Sequence, residues 1–284
     1  FRVTAVIRSS VRLILLFEQF YSGGIMIKEF LKPASVEEAV SLKQKSGSKA
    51  CYFGGGSRLN TSEHGFEVAV SLEALNLTKI EDNQNELVIG SQVTLQNLID
   101  SSAVSADLKA VAAHMASRHT RNQSTVGGDI ASNIIDSVLI PCLMANSAVL
   151  ITAEDGEISI DDYISQKKKS LILSVKIAKS GRKVAIKKVA IQMHAIPVIS
   201  VAVGASIEGG KVSDAVVALS GMNGGAVRLN SIEAAWMNGE CSDKSAMEKV
   251  VAEAVQFSSD LQGSSEYKTY VSGVTIADLI DELK

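Results

Sequence analysis

Lys49-Ala50-Cys51-Tyr52-Phe53-Gly54-Gly55-Gly56-Ser57-Arg58-Leu59 is a short strand that runs straight into three glycines. Glycine has no Cβ, so successive backbone N–H groups can turn to one side and form a nest for anionic oxygens. Ser57 adds a hydroxyl donor beside that nest. A second stretch of the same kind follows at Ser124-Thr125-Val126-Gly127-Gly128-Asp129-Ile130, where Thr125 supplies the hydroxyl. Two nests facing each other suit a pyrophosphate, which carries charge on both phosphorus centres. Neither stretch has the G-x-G-x-x-G spacing of a Rossmann turn. Neither continues into the Gly-Lys-Ser/Thr of a P-loop. Each taken alone also reads as a plain turn, as do Gly209-Gly210 and Gly224-Gly225.

Outward from these loops, the pattern alternates irregularly between strands and helices, which favours α+β over a doubly wound parallel sheet. Ser35 and Glu38 have capping-box spacing at the start of a helix that Gly47 ends. Strands are expected at Phe66–Ser71 and Glu86–Gly90, and Thr94 caps a short helix through Ile99. Leu108, Val111, Ala112 and Met115 repeat at helical spacing, so Ala106–Ser117 is predicted as one amphipathic helix. Arg121–Gly128 reads as a polar loop, and Ser137–Ala145 as an apolar helix. Ala148–Ala153 and Glu157–Ile160 form a hairpin around Asp155-Gly156. The basic run Lys167-Lys168-Lys169 reads as a solvated loop and a domain boundary. Beyond it, strands are expected at Leu171–Ala178, Lys183–Gln192, Val198–Ile207 and Lys211–Ser220. Helices follow around Ile232–Trp236, at Ala246–Phe257 and within Ser264–Leu283. The expected division is residues 26–166, an N-terminal region of two small α+β subdomains, and residues 167–284, an α+β domain with a small antiparallel sheet and helices on one face.

Of the 284 residues, 46% are apolar and 21% charged, and the formal net charge is −3. That composition excludes a disordered or collagen-like chain. A weakly acidic chain lacks the basic footprint of a nucleic-acid binder. Cys51, Cys142 and Cys241 are odd in number and far apart, which argues against a disulfide framework and points to a reducing cytoplasm. His64, His114, His119 and His194 show no metal-ligand spacing, and no metal site is expected.

Phe1–Ile25 differs from the rest, with Arg2, Arg8 and Arg12 against one acid, Glu18. Its apolar run Leu13–Phe17 is too short to span a bilayer, and no small-residue cleavage site closes it as a signal peptide. It is expected to be an upstream extension outside the native chain. Gly23-Gly24-Ile25-Met26 can be encoded as a purine-rich ribosome-binding site before a start codon at Met26.

Gly54-Gly55-Gly56-Ser57-Arg58-Leu59 and Arg121-Asn122-Gln123-Ser124-Thr125-Val126-Gly127-Gly128-Asp129-Ile130-Ala131 together resemble the two FAD motifs of the flavoprotein subunit of molybdenum hydroxylases. This is the family of the xanthine dehydrogenase and carbon monoxide dehydrogenase flavoproteins. Its first motif is usually Ala-Gly-Gly, a polar residue, another residue and Leu; its second is usually Thr-Ile/Val-Gly-Gly-Asn. The two motifs stand in that order, about seventy residues apart. Phe30–Ala39 is similar to the family's opening, and Asp260-Leu261-Gln262-Gly263-Ser264-Ser265-Glu266-Tyr267-Lys268 to its C-terminal signature. The resemblance spans most of Met26–Lys284.

The resemblance implies the family's two-subdomain FAD-binding fold with a C-terminal α+β domain, and FAD as cofactor. It implies that Gly54, Gly55, Gly56 and Ser57 hold the FAD pyrophosphate, with Phe53, Arg58 and Leu59 completing the loop. Thr125, Gly127, Gly128 and Asp129 would form the opposing loop. Asp136 matches an acidic position that contacts the cofactor, and Lys188 a cofactor-side lysine. Asp129 replaces the usual Asn; an ionised carboxylate cannot donate and repels a pyrophosphate, so it is expected to face a hydroxyl or backbone N–H. The Arg and acidic residues usual after Lys188 are missing from Val189-Ala190-Ile191-Gln192-Met193-His194. By resemblance the chain is an oxidoreductase subunit that passes electrons from an iron–sulfur subunit through FAD to an acceptor such as NAD. A separate molybdenum-cofactor subunit would complete the complex. The redox chemistry is the cofactor's, so no catalytic side chain is expected. Arg118, His119 and Arg121, near the second motif, read either as acceptor-steering groups or as solvated charges. Two alternatives are a stand-alone flavin oxidoreductase of the same fold and a scaffold subunit without flavin.

Overall fold

The computed structural model describes residues 27–59, 65–192, 195–209, 211–222, 224–240 and 244–283. The extension Phe1–Ile25, the start at Met26, and His64, His194 and Cys241 lie outside the described residues.

Three sheets organise the chain. The first is parallel and three-stranded, with β1 (Glu29–Leu31), β3 (Val68–Ser71) and β2 (Ala50–Phe53) in that spatial order. Helix α1 (Val36–Ser46) connects β1 to β2 and buries Ala39 against Val70 and Leu72. Ser35 caps it by accepting from Glu38 N–H at 3.2 Å. The Glu38 carboxylate reaches back to Ala34 N–H at 2.8 Å, one residue before the position that a capping box would use.

The second sheet is antiparallel and five-stranded: β4 (Ile80–Asp82), β5 (Glu86–Gly90), β8 (Ile172–Ala178), β6 (Val149–Thr152) and β7 (Gly156–Ser159). A run of short helices covers it: α2 (Leu95–Asp100), α3 (Ala106–Ala113), α4 (Arg118–Gln123), α5 (Val126–Ser132), α6 (Leu139–Ala145) and α7 (Ile160–Ser165). The third sheet is antiparallel, in the order β12 (Gly225–Arg228), β11 (Lys211–Met222), β10 (Ile199–Glu208) and β9 (Lys183–Val189). Helices α8 (Asn230–Met237), α9 (Lys244–Ala254) and α10 (Ser265–Leu283) follow it.

The pairing moves two expectations. Strand β8 hydrogen-bonds to β5 and β6, so it belongs with the strands before it. The change from one sheet to the next therefore falls at residues 179–182, after the basic run rather than in it. The helix expected over Ala106–Ser117 stops at Ala113. Ala116 takes a left-handed φ of 50°, and the Ser117 hydroxyl caps a fresh helix by accepting from Thr120 N–H. The polar loop expected at Arg121–Gly128 is therefore the end of one helix and the start of another. Side-chain caps at Ser117 and Thr125 satisfy backbone groups that a loop would leave to water.

The third sheet is covered on both faces. Along β11, Ala215, Val217 and Leu219 join a core with Ile232, Trp236, Ile276 and Ile280 of the C-terminal helices. The alternate residues Val216 and Ala218 join the core that holds Leu139, Ile140 and Leu143 of α6. Period-2 alternation thus splits one strand between two cores. The C-terminal helices do occupy one face, as expected, but α6 from the preceding region fills the other. This explains why all seven residues of α6 are buried: a helix apolar all round needs neighbours all round.

Polar links cross the same boundary. Arg182 Nε donates to Ala145 O at 2.7 Å, capping the end of α6, and Ser220 Oγ donates to Ser137 O at 2.6 Å. Arg228 Nε donates to Glu233 Oε1 at 2.8 Å, and its Nη1 donates to Asp161 of α7 at 2.7 Å. The Glu233 side chain is only 5% exposed and also accepts from Val217 N–H. The C-terminal signature is structural too. Asp260 and Gly263 form a tight bridge, and buried Lys268 donates to the Asp260 carboxylate at 2.5 Å, holding Asp260 below its ordinary pKa.

Arg228→Met removes the partner of a buried carboxylate. It is expected to lower unfolding free energy by about 3 kcal/mol. Asp161→Asn, at the more exposed end of the network, is expected to cost about 1 kcal/mol or less. Urea unfolding midpoints at unchanged slope measure both; equal losses would show that Glu233 does not depend on Arg228.

Candidate functional site

The first glycine loop leaves β2 and is pressed against the second motif. A Cβ at Gly55 would lie 1.6 Å from the Gln123 carbonyl oxygen, so only glycine permits this backbone-on-backbone contact. Ser124 Oγ donates to Ser57 Oγ at 3.0 Å across the same seam. Arg58, at the end of the loop, pairs with Asp136 at 3.3 Å. Among the described residues, the N–H groups of Gly54, Gly55 and Gly56 have no protein acceptor, and Gly56 turns with φ of 73°.

The second motif is built differently. Its glycines lie in the first turn of α5, whose cap Thr125 accepts from Gly128 N–H at 3.1 Å. Val126 N–H donates to Val93 O, and Gly127 N–H to Ser91 O at 2.8 Å. A Cβ at Gly127 would stand 2.6 Å from Ser91 Cβ. This motif is therefore not an open nest, since its N–H groups are spent inside the protein. Its glycines bring α5 close to the segment between β5 and α2, and Thr94 forms an antiparallel bridge with Thr125.

Between the two motifs lies a cavity of about 430 Å³, a size usual for a small-molecule site. Gly54, Gly55, Gly56, Ser57, Arg58, Leu59, Thr125, Gly127, Gly128 and Asp129 all line it. Three residues singled out in the sequence do not. Phe53 packs edge-to-face on Phe30, centroids 5.1 Å apart, and supports the strand. Asp136 stands behind Arg58. Lys188, on β9, donates to His114 O at 2.9 Å and lines a neighbouring cavity of about 480 Å³ with Asp107, Lys187 and Glu282. Burial lowers the pKa of Lys188, and the charge of Asp136 opposes that shift. Asp136 thus acts toward both cavities.

Several cavity residues carried no signal in the sequence. Ser91 and Gln92 come from the β5–α2 connection, Tyr163 from α7, and Leu171 and Ile172 from the start of β8. Lys169, assigned to a solvated run, stands at the cavity with Lys43, while its neighbour Lys168 pairs with Asp155 at 2.8 Å. Among the described residues, Lys43, Arg58 and Lys169 bring cationic side chains to the cavity. Its apolar wall comes from Leu59, Phe66, Leu72 and Ile172. Ser91 Oγ is buried on this wall without a hydrogen-bond partner, which is uncommon for a buried hydroxyl. Cys51 also lines the cavity; burial pushes its thiol up to about 11, so it stays protonated near neutrality. Asp129 is 6% exposed, and its Oδ2 accepts from Ser137 Oγ at 2.5 Å, the hydroxyl contact that its sequence position called for. Burial raises its pKa to about 6, with Ser137 and Arg58 restraining the rise.

Arg121 is tied into the protein rather than left as a freely solvated charge. Its Nη1 donates to the carbonyls of Ala113, Met115 and Ala116, the last at 2.8 Å, and its Nε donates to Gln96 at 3.2 Å. It closes the end of α3 over the turn into α4. Among the described residues, no group of His, Cys, Asp and Glu is arranged to hold a metal ion, and no helix is long and apolar enough to cross a membrane.

A nest of inward-turned N–H groups, cationic side chains, an apolar wall and an orphaned hydroxyl fit a bulky dinucleotide with a diphosphate. Comparison with known proteins agrees. The family described as the FAD binding domain in molybdopterin dehydrogenase matches residues 25–180, and the CO dehydrogenase flavoprotein C-terminal domain matches residues 184–283. The junction between the two matches coincides with the change of sheet after β8. The Escherichia coli (strain K12) protein YgfM is 35% identical over 256 residues, covering 89% of this chain and 95% of that protein. The carbon monoxide dehydrogenase medium chain of Afipia carboxidovorans is 26% identical over 285 residues, covering 90% and 96%. Two solved structures share the fold. Carbon monoxide dehydrogenase from Hydrogenophaga pseudoflava superposes with a TM-score of 0.77 at 23% identity, covering 89% of this chain and 96% of that one. Quinoline 2-oxidoreductase from Pseudomonas putida 86 superposes with 0.75 at 20% identity, covering 89% and 95%.

Arg121→Met is expected to lower stability by about 2 kcal/mol, because hydrogen bonds from a charged group are lost while the carbonyls regain only part of their solvation. Chemical denaturation beside flavin content per folded chain tests the assignment. Unchanged stability with altered flavin reactivity would restore the acceptor-steering role.

Proposed function

The chain belongs to the family of FAD-binding subunits of molybdenum hydroxylases of the carbon monoxide dehydrogenase and xanthine oxidase type, and from that premise we propose how it holds its cofactor and what it serves. It is an FAD-binding oxidoreductase subunit. The FAD diphosphate sits at Gly54-Gly55-Gly56-Ser57. Backbone N–H groups there bind its oxygens, and Arg58, Lys43 and Lys169 offset its charge. Leu59, Phe66, Leu72 and Ile172 exclude water from the cofactor. Thr125, Gly127 and Gly128 act one step back, fixing the wall against which the first loop rests. Asp136 and Lys188 extend the polar side of the site toward the neighbouring cavity.

Bound FAD supplies the electron-carrying chemistry, and the protein supplies position and field. We infer that the subunit passes electrons from an iron–sulfur subunit to an acceptor such as NAD, within a complex whose third subunit carries the molybdenum cofactor. The CO dehydrogenase medium chain among its relatives supports this reading. The observation that carries the cofactor assignment is the seam at Gly55, where the open N–H groups of the first loop are held by the backbone of the second.

Gly55→Val drives a side chain into the Gln123 carbonyl and displaces the loop. Loss of two or more charge-assisted hydrogen bonds, each about 1.5–3 kcal/mol, is expected to weaken FAD binding by at least ~100-fold. Flavin absorbance per chain after gel filtration, with circular dichroism to confirm folding, measures this; full occupancy would exclude the loop as the diphosphate site. The complex is tested separately. Iron, sulfide and molybdenum should co-purify with the chain from its natural source, whereas steady-state oxidation of a small organic substrate by the chain alone would overturn the subunit reading.

A further inference from the structure

Asp129 is an anion placed where an anion is to be bound. It lines the same cavity as Gly54–Ser57, and its side chain is almost wholly removed from water. Oδ2 has one strong partner, the Ser137 hydroxyl. That hydroxyl already accepts from Ile140 N–H at 3.1 Å, so its single proton is committed to Asp129. A buried carboxylate has about four acceptor sites, and one hydrogen bond leaves its charge poorly compensated.

The charged surroundings do not settle that charge. Arg58 of the first loop favours the ionised form, but Arg58 is shared with Asp136, whose own charge opposes it. Among the described residues, the Ser91–Val93 segment packed on α5 brings no ionisable group, α6 brings only Cys142, whose thiol burial raises to about 12, β8 brings Lys176, which pairs with Glu157, and β5 brings Glu86. Elsewhere around the cavity stand Lys43, Cys51, Tyr52, Tyr163 and Lys169. Burial raises Cys51, Tyr52 and Tyr163.

We propose that Asp129 must be neutral when the FAD diphosphate is bound, so that binding takes up one proton on this side chain and flavin affinity falls as pH rises. The inference rests on the diphosphate lying at the glycine loop. A carboxylate and two phosphate charges lining one cavity repel, and protonation removes that repulsion while giving Asp129 an O–H to donate. The sign follows from linkage. The free protein holds this carboxyl at about 6, and the bound diphosphate raises it further. Below pH 6 the group is already protonated and affinity is level. Above pH 6 each binding event must draw a proton from solution, weakening affinity by up to ~10-fold per pH unit.

The test uses the full chain stripped of flavin and titrated with FAD from pH 5.5 to 8.5, read by quenching of flavin fluorescence. The wild type is expected to bind at least ~10-fold more weakly at pH 8.5 than at pH 6.5. Asp129→Asn is neutral at every pH and should bind with level affinity, tighter than the wild type at pH 8.5. Calorimetry in buffers of different ionisation enthalpy should show uptake of up to one proton by the wild type at pH 7.5, more than by Asp129→Asn. Parallel pH profiles for the two proteins, or no proton uptake by the wild type, would overturn the proposal. The wild-type proton count decides the matter even if the variant does not fold. Gly55→Val separates the two readings. If it binds FAD normally, the diphosphate assignment fails; if it loses FAD while the pH profiles stay parallel, only the role of Asp129 fails.

Discussion

The site depends on two places where backbone touches backbone with no room for a side chain. Gly55 meets the Gln123 carbonyl, and Gly127 meets Ser91. The first contact ties the parallel three-stranded sheet to the helical turn that begins α5. The second ties α5 to the connection between β5 and α2. Cavity walls from three parts of the chain are thereby fixed relative to one another by contacts as short as van der Waals radii allow. Such contacts have no slack, because interiors are close-packed and a methyl group cannot be absorbed without moving a strand or helix. The first loop can then present N–H groups to a ligand because the second holds it from behind.

A similar economy joins the two halves of the molecule. Strand β11 gives alternate residues to two different cores, and α6 lies between the sheets with no face left for water. Arg228 and Arg182 finish the junction with hydrogen bonds to groups on both sides. The halves are distinct as sheets but not as cores. Displacement of the C-terminal sheet would disturb α6, and through Ser137 it would reach Asp129 in the cavity between the two motifs.

The roles of the individual motif residues were only partly legible. Both glycine motifs look alike in sequence, yet only the first leaves its N–H groups open. The Val126 and Gly127 donors are taken by the carbonyls of Val93 and Ser91, which lie more than thirty residues earlier in the chain. Local sequence carries no trace of that pairing. Lys169 reads as part of a solvated run because its neighbours are lysines, and the polar neighbours of Arg121 give no hint that three backbone carbonyls converge on it. The helix break at Ala113 leaves no mark in the sequence, because Met115 keeps the apolar spacing. Spacing records which residues are buried and not whether the backbone between them stays helical.

What the sequence determined by itself was the local chemistry. It set the capped helix after Ser35, the hairpin at Asp155-Gly156, the antiparallel run of strands from Lys183 and the two glycine motifs whose order identifies the family. These follow from hydrogen bonds and side-chain alternation within a few residues. Only the tertiary structure decided the rest. It assigned β8 to the sheet before it, because strand partners are chosen by long-range burial. It placed Lys188 at a second cavity, because β9 brings its side chain to the His114 carbonyl at the end of α3. It also left Asp129 with one hydroxyl for company in the cavity that the first glycine loop lines. The energy of a carboxylate depends on how much water and how many donors reach it, and those are properties of the folded packing.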